Sequence, residues 1–134
     1  MSHITWDDTF SVGVDEIDAQ HKIWIDTIND LHDAIYNSSS DKLADATNKS
    51  VKAMWEYTRF HFQAEETYMT SINYPDLPGH QAIHDMFSLE VMKIYNDVKD
   101  GKQVLSTSVM KMLSNWLQEH ILQEDKKIGL YISG

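Results

Sequence analysis

The 134-residue sequence is long enough for one domain with a hydrophobic core, and its composition is that of a globular protein. The formal net charge of −10 argues against nucleic acid or an anionic membrane surface as a partner. The chain has no cysteine, so disulfides, thiolate metal sites and thiol catalysis are excluded and any metal must be held by nitrogen and oxygen. No apolar run could span a bilayer and no secretory signal opens the sequence, so we expect a cytoplasmic protein without membrane insertion.

The first 15 residues have no clear period, and we expect them to form an arm that lies against the rest of a single domain, residues 1–134. Trp6 and Phe10 are the side chains expected to anchor this arm. Beyond the arm, turn-forming residues separate four long segments, each with apolar residues at alternating spacings of four and three. The predicted helices cover approximately residues 16–37, 41–72, 78–99 and 105–130.

Four amphipathic helices with short connections predict an all-α fold, an up-down-up-down antiparallel four-helix bundle. Ser40 or Asp41 is expected to cap the second helix, and Ser106 the fourth, because their side chains can accept a bond from a free backbone N–H.

Several ionisable residues lie on the inward-facing stripes of these helices, where a core would ordinarily be apolar. A buried ionisable group costs several kcal/mol unless it is paired or bound to metal. One core histidine is usually satisfied by a hydrogen bond, but five histidines and a glutamate on facing stripes favour a metal site. These residues fall early in the first and third helices and late in the second and fourth, so antiparallel packing would gather them in one layer. They are His21, His61, Glu65, His80, His84 and His120.

His3 lies in the arm and is expected to be solvated, and His32 lies off the stripe at a surface or boundary position. Neither is a predicted ligand. "HQAIH" (80–84) has Gln81 where a zinc peptidase has its catalytic glutamate. The chain also contains no Glu-x-x-His, the pair that ferritin-like di-iron proteins use. A mixed set of imidazoles and carboxylates suits iron, and carboxylates can bridge two ions.

The order of these motifs resembles the hemerythrin family, in particular the bacterial single-domain hemerythrins. The resemblance runs from Trp6 to about Asp125, and it includes "VGVDEIDAQH" (12–21), "HFQAEE" (61–66), "HQAIH" (80–84) and "WLQEHILQED" (116–125). It implies two iron ions, ferrous or ferric, joined by an oxo or hydroxo bridge. The ligands implied for one iron are His80, His84 and His120. Those implied for the other are His21 and His61, and the carboxylates implied to bridge the two are Glu65 and Asp125.

Spacing alone favours a different carboxylate near the end of the fourth helix. Asp125 comes five residues after His120, which is about 500° of α-helix and leaves it about 140° from the face of His120. Periodicity therefore predicts Glu124 on the stripe, whereas the resemblance implies Asp125. A widened helical turn, or an end of the helix near Gln123, would bring Asp125 to the site.

The resemblance also implies an apolar pocket beside an open position on the second iron. The residues implied to line this oxygen pocket are Trp24, Phe62, Trp116, Leu117 and Ile121. Each of them is equally compatible with an ordinary place in the core. Trp24 stands where the family would have a smaller aliphatic residue, and its bulk would narrow the pocket.

The function implied by the resemblance is reversible O2 binding, as a carrier, a store or a donor of oxygen, with small anions such as azide as inhibitors. The alternatives are an oxygen- or redox-sensing domain of a signalling protein and a di-iron oxidase or peroxidase. Iron storage would require a cage-forming assembly. Because we find no further acid–base pair beside the predicted site, we expect a binding protein rather than an enzyme, as a monomer or small oligomer.

Overall fold

A computed structural model describes residues 3–37, 43–101 and 107–134, and in these ranges the secondary structure is entirely helical. A 3-10 turn at Asp8–Phe10 precedes the first long helix. A π-helical segment, His120–Asp125, joins α4 to α5, so these three elements form the fourth rod of the bundle. The α-helices are α1 Asp15–Asn37, α2 Leu43–Ser71, α3 Leu77–Lys99, α4 Thr107–Glu119 and α5 Lys126–Ser133. The predicted all-α four-helix bundle is confirmed.

Neighbouring helices run antiparallel, as their cross-helix contacts show. In the first half of α1, Trp24 donates from its indole Nε1 to Oγ1 of Thr58 in the second half of α2, at 3.1 Å. Phe87, in the first half of α3, stacks on Trp116 near the end of α4 with ring centroids 3.7 Å apart. This arrangement places the start of α1 beside the end of α2, and the start of α3 beside the end of α4.

The helix ends follow local chemistry. Asp15, Glu16 and Asp18 lie in the first turn of α1, where negative charge is stabilised by the free N–H groups and the helix dipole. Pro78 occupies the first turn of α3, where its missing N–H costs nothing. The predicted caps Ser40, Asp41 and Ser106 lie outside the described residues.

The apolar part of the core fills the end of the bundle away from the histidines. Side chains late in α1 and α3 meet those early in α2 and α4, as antiparallel packing requires. Burying each of these side chains stabilises the fold by roughly 1.5–3 kcal/mol. They include Leu31, Val51, Met54, Val91, Ile94, Met110 and Leu113, all of which are buried.

The arm is held against the bundle by more than its aromatic residues. Phe10 is buried, and Trp6 packs against the core with its ring 5.7 Å from that of Phe10. Ile4 is also buried, and its backbone forms two hydrogen bonds of 2.9 Å with the side-chain amide of Asn29 on α1. This two-bond clamp was not predicted, because Asn29 lies outside the arm and carries no local motif.

Across the described ranges, we find no helix whose length and hydropathy would let it cross a bilayer.

The backbone of the arm also lies directly on α5, at Gly129. A Cβ atom built on this glycine would lie 1.8 Å from the carbonyl oxygen of Val12. Glycine is therefore required here by the close approach of two backbones, and not by an unusual backbone angle.

We predict that Gly129→Ala lowers the free energy of unfolding by about 1–3 kcal/mol, because the arm must move away from α5 to admit the methyl group. The higher helix propensity of alanine would by itself raise the free energy of unfolding by about 1 kcal/mol. Urea denaturation followed by circular dichroism measures the difference.

Gly79→Ala provides the matched control on α3. A Cβ there would meet the carboxylate of Asp76, a side chain that can rotate away. We expect unchanged or slightly higher stability for this variant. A Gly129→Ala protein as stable as Gly79→Ala would contradict the close packing of arm and α5.

Candidate metal centre

Seven ionisable side chains lie together in one buried cluster at the histidine end of the bundle. Their ligand atoms form two overlapping groups, and within each group all atoms lie within 4.8 Å of one another. The first group contains Glu65, His80, His84, His120 and Asp125. The second group contains His21, His61, Glu65 and Asp125. All seven side chains are buried, so water does not solvate their charges.

Glu65 is shared between the two groups, one oxygen to each. Its Oε1 lies 2.9 Å from Nε2 of His80 and 3.2 Å from Nε2 of His84. Its Oε2 lies 3.4 Å from Nε2 of His21 and 3.3 Å from Nε2 of His61. This carboxylate therefore lies between two sets of imidazole nitrogens.

Asp125 is shared in the same way. Its Oδ1 lies 3.0 Å from Nε2 of His80 and 3.1 Å from Nε2 of His120, whereas its Oδ2 lies 2.9 Å from Nε2 of His21. Two carboxylates thus connect a set of three imidazoles to a set of two. The cluster is asymmetric, with five donor residues in one group and four in the other.

The π-helical segment brings Asp125 to the cluster. Hydrogen bonds from residue i to i+5 widen the turn, so residues five apart lie one above the other. The prediction of Glu124 from ideal α-helical periodicity is therefore wrong. Glu124 is partly exposed, and both its carboxylate oxygens lie 3.4 Å from Nζ of Lys127. Because helical structure continues beyond Gln123, the helix does not end there, and the widened turn explains how Asp125 reaches the cluster.

Two further residues orient the histidines from outside the cluster. Nδ1 of His61 donates to Oε1 of Gln20 at 2.8 Å, and Nδ1 of His84 donates to a carboxylate oxygen of Glu66 at 2.8 Å. Since the acceptors fix the protons on Nδ1, Nε2 of each ring is left with a lone pair facing the cluster. Sequence reasoning missed both residues, because each contacts a histidine of a neighbouring helix rather than its own.

Several polar atoms of the cluster have no hydrogen-bond partner, and this observation tests whether a metal fits. Atoms buried without a hydrogen-bond partner include Nε2 of His21, Nε2 of His61, Oε2 of Glu65 and both carboxylate oxygens of Asp125. Nε2 of His84 lies 3.1 Å from Nε2 of His120, so these two ring nitrogens are within hydrogen-bond distance and converge on the same space as the carboxylates. Each unsatisfied buried group costs about 1–3 kcal/mol, and a cation between them would remove that cost. The residues fit a metal.

The charges of the cluster also favour the binding of a cation. Burial by itself would raise the pKa of Glu65, but hydrogen bonds from the surrounding histidines hold that pKa well below its usual range. The pKa of Asp125 is also lowered, since its histidine partners outweigh burial and the charge of Glu65. Burial opposes protonation of His21 and His80, yet their carboxylate partners raise the two pKa values to about 9 and about 10. Both carboxylates are therefore anionic at neutral pH, and the protons that balance their charge on His21 and His80 would leave when a cation binds.

Aromatic rings enclose the cluster. The ring of Phe62 stacks on His84 with centroids 3.8 Å apart, and that of Trp116 stacks on His120 at 4.6 Å. Trp24 is fully buried, and its ring centroid lies 5.0 Å from that of His61. Leu117 and Ile121, the other two predicted pocket residues, are fully buried in the core.

The fold and this cluster define a class of protein: a four-helix bundle with a buried metal site of imidazole and carboxylate ligands. The family described as "Hemerythrin HHE cation binding domain" matches residues 12–130. The chain is 33% identical to the bacteriohemerythrin of Pseudomonas aeruginosa over 125 residues, covering 93% of this chain and 78% of that protein. It is 28% identical to the bacteriohemerythrin of Methylococcus capsulatus, covering 99% of both. A crystal structure of wild-type hemerythrin matches with a TM-score of 0.89 at 28% identity, covering 99% of this chain and all of that one.

The chain belongs to the hemerythrin family. The resemblance inferred from its motifs is thereby confirmed. Membership of this family also agrees with the prediction of a binding protein rather than an enzyme.

We predict that Glu66→Gln weakens iron binding by about tenfold, because the amide keeps the acceptor for His84 but loses the negative charge that makes the ring a better ligand. The measurement is loss of iron to a competing chelator at equilibrium.

Glu56→Gln is the matched control. It makes the same change on the same helix, at an exposed residue whose partner is the surface Lys52. We expect its iron affinity to equal that of the unsubstituted protein. Equal affinity in Glu66→Gln would show that the charge beside His84 does not contribute.

Proposed function

We propose that this protein binds O2 reversibly at a pair of iron ions held in the buried cluster, and that it carries, stores or delivers oxygen. The observation that carries the proposal is the division of each carboxylate between two sets of imidazoles. Glu65 and Asp125 each present one oxygen to either set, which is the arrangement of carboxylates that bridge two ions. The membership of the hemerythrin family supports the same function.

The donor groups assign the ligands of the two ions. The three-histidine ion would be held by His80, His84 and His120. The two-histidine ion would be held by His21 and His61, and both would share Glu65 and Asp125. A bound iron pair supplies the two electrons that reversible oxygen binding needs. Because the two-histidine group has one donor fewer, it is the side on which we expect oxygen to enter.

The rest of the chain keeps this reaction reversible by excluding water. Trp24, Phe62 and Trp116 surround the histidines with apolar rings, so solvent protons do not reach the centre easily. Trp24 is held in place by its hydrogen bond to Thr58, and it lies against the two-histidine side. We therefore infer that Trp24 narrows the approach for oxygen and for small anions such as azide.

The test is to reduce the iron-loaded protein without air, admit oxygen, and then remove it while the visible spectrum is recorded. We expect an oxygen-dependent charge-transfer band that appears and disappears over repeated cycles. In His61→Leu the band should be lost, whereas the control His32→Leu, outside the cluster, should keep it. A one-way change to a ferric spectrum would overturn the proposal in favour of an oxidase or a redox sensor. An absence of any iron-dependent spectrum would also overturn it.

We predict that Trp24→Leu speeds azide association with the ferric protein, because it removes the largest ring beside the two-histidine side. The same change should lower the free energy of unfolding by about 2 kcal/mol or more, since it leaves a cavity. Stopped-flow absorbance measures the association rate, and denaturation measures the stability.

Trp6→Leu serves as the control, because this ring packs in the arm against Phe10, with the ammonium group of Lys22 over its face. Its azide kinetics should equal those of the unsubstituted protein. Unchanged kinetics in Trp24→Leu would mean that azide enters by another route.

A further inference from the structure

A second group of metal-ligating side chains lies where the arm meets the later part of α1. Nε2 of His3 is 2.6 Å from Oδ1 of Asp33, and Nδ1 of His32 is 3.6 Å from the same oxygen. Ligand atoms of all three residues lie within 4.8 Å of one another. His32 follows His21 by eleven residues, which is about 16 Å along the helix, so this group is separate from the buried centre.

The arm is fixed at this point by the clamp between Ile4 and Asn29. Both backbone polar groups of Ile4 bond to the Asn29 amide, one helical turn before His32 and Asp33. His3, the residue before Ile4, is therefore held over the turn of α1 that contains His32 and Asp33. Its ring meets the ring of His32 edge-on, with centroids 5.0 Å apart. The hydrogen bonds between Ile4 and Asn29 therefore bring the three side chains together.

The chemistry of the three groups suits a borderline divalent cation. Asp33 supplies a carboxylate, which is ionised at neutral pH in its half-exposed position. Two imidazoles and one carboxylate are the ligands of many zinc sites, in which water takes the fourth position. With bonds of about 2.0–2.2 Å, ligand atoms of a tetrahedral ion are roughly 3.4 Å apart. The 3.6 Å between His32 and Asp33 is close to this value, whereas the 2.6 Å between His3 and Asp33 is a hydrogen bond that a bound cation would replace. His3 and Asp33 are each about half exposed, at 46% and 45%, so water can reach the ion.

The geometry points to a second metal site, formed by His3, His32 and Asp33, that binds one zinc-class divalent cation and ties the arm to α1. The site is independent of the oxygen-binding function proposed for the buried centre. Bound metal would add a cross-link between residues that are 29 and 30 positions apart in sequence. It would therefore stabilise the contact of the arm with the bundle.

The experiment titrates Zn2+ into the iron-loaded protein by isothermal calorimetry, while the visible spectrum verifies that iron stays in place. We expect one Zn2+ per chain beyond the iron. His3→Gln and Asp33→Asn should each weaken this binding at least about tenfold, because each removes one of three protein ligands. Both residues are half exposed, so neither change should prevent folding.

Asp30→Asn is the matched control, since it makes the same charge change on an exposed residue three positions earlier in α1. It should keep the affinity of the unsubstituted protein. Zn2+ should also slow hydrogen exchange of the Ile4 amide in the unsubstituted protein and not in His3→Gln. Equal Zn2+ binding in His3→Gln and the unsubstituted protein would overturn the site, and so would a loss in Asp30→Asn as large as that in Asp33→Asn.

Discussion

The burial of five imidazoles and two carboxylates inside a small helical bundle is the constraint on which the rest of the structure depends. Groups of this kind are stable in a core only when they are paired or bound to a cation. In this chain they are placed so that nitrogens and oxygens converge, while several of these atoms have no hydrogen-bond partner. The apolar end of the bundle supplies the folding free energy that offsets this cost.

The surrounding structure gives each polar group a fixed direction. The widened turn of His120–Asp125 aims Asp125 inward, and Gln20 and Glu66 fix the protons of His61 and His84 on the outer ring nitrogens. The outer acceptors differ in charge, since one is an amide and the other a carboxylate. The two-histidine and three-histidine groups therefore differ in the number of donor residues and also in the charge of the outer acceptor that bonds to a histidine.

Much of the fold and of the centre could be predicted because both depend on local spacing. Pairs such as His61 and Glu65, or His80 and His84, lie one turn apart on one helix face, and antiparallel packing then determines which ends meet. Asp125 shows the limit of this reasoning. An ideal α-helix selects Glu124, whereas the family pattern pointed to Asp125. The sequence left two physical reasons open, and the structure shows that the π-helical turn is the one that applies.

The sequence by itself determined the four helical segments of the bundle, the stripe that each buries and the histidines that share a layer, because these follow from residue periodicity along one helix. The tertiary structure alone decided what depends on contacts between distant segments. Examples are the Glu66 acceptor of His84, the contact of the arm with Gly129, and the meeting of His3 with Asp33. No local pattern encodes such contacts, since the partners lie on different elements and meet only when the bundle has closed.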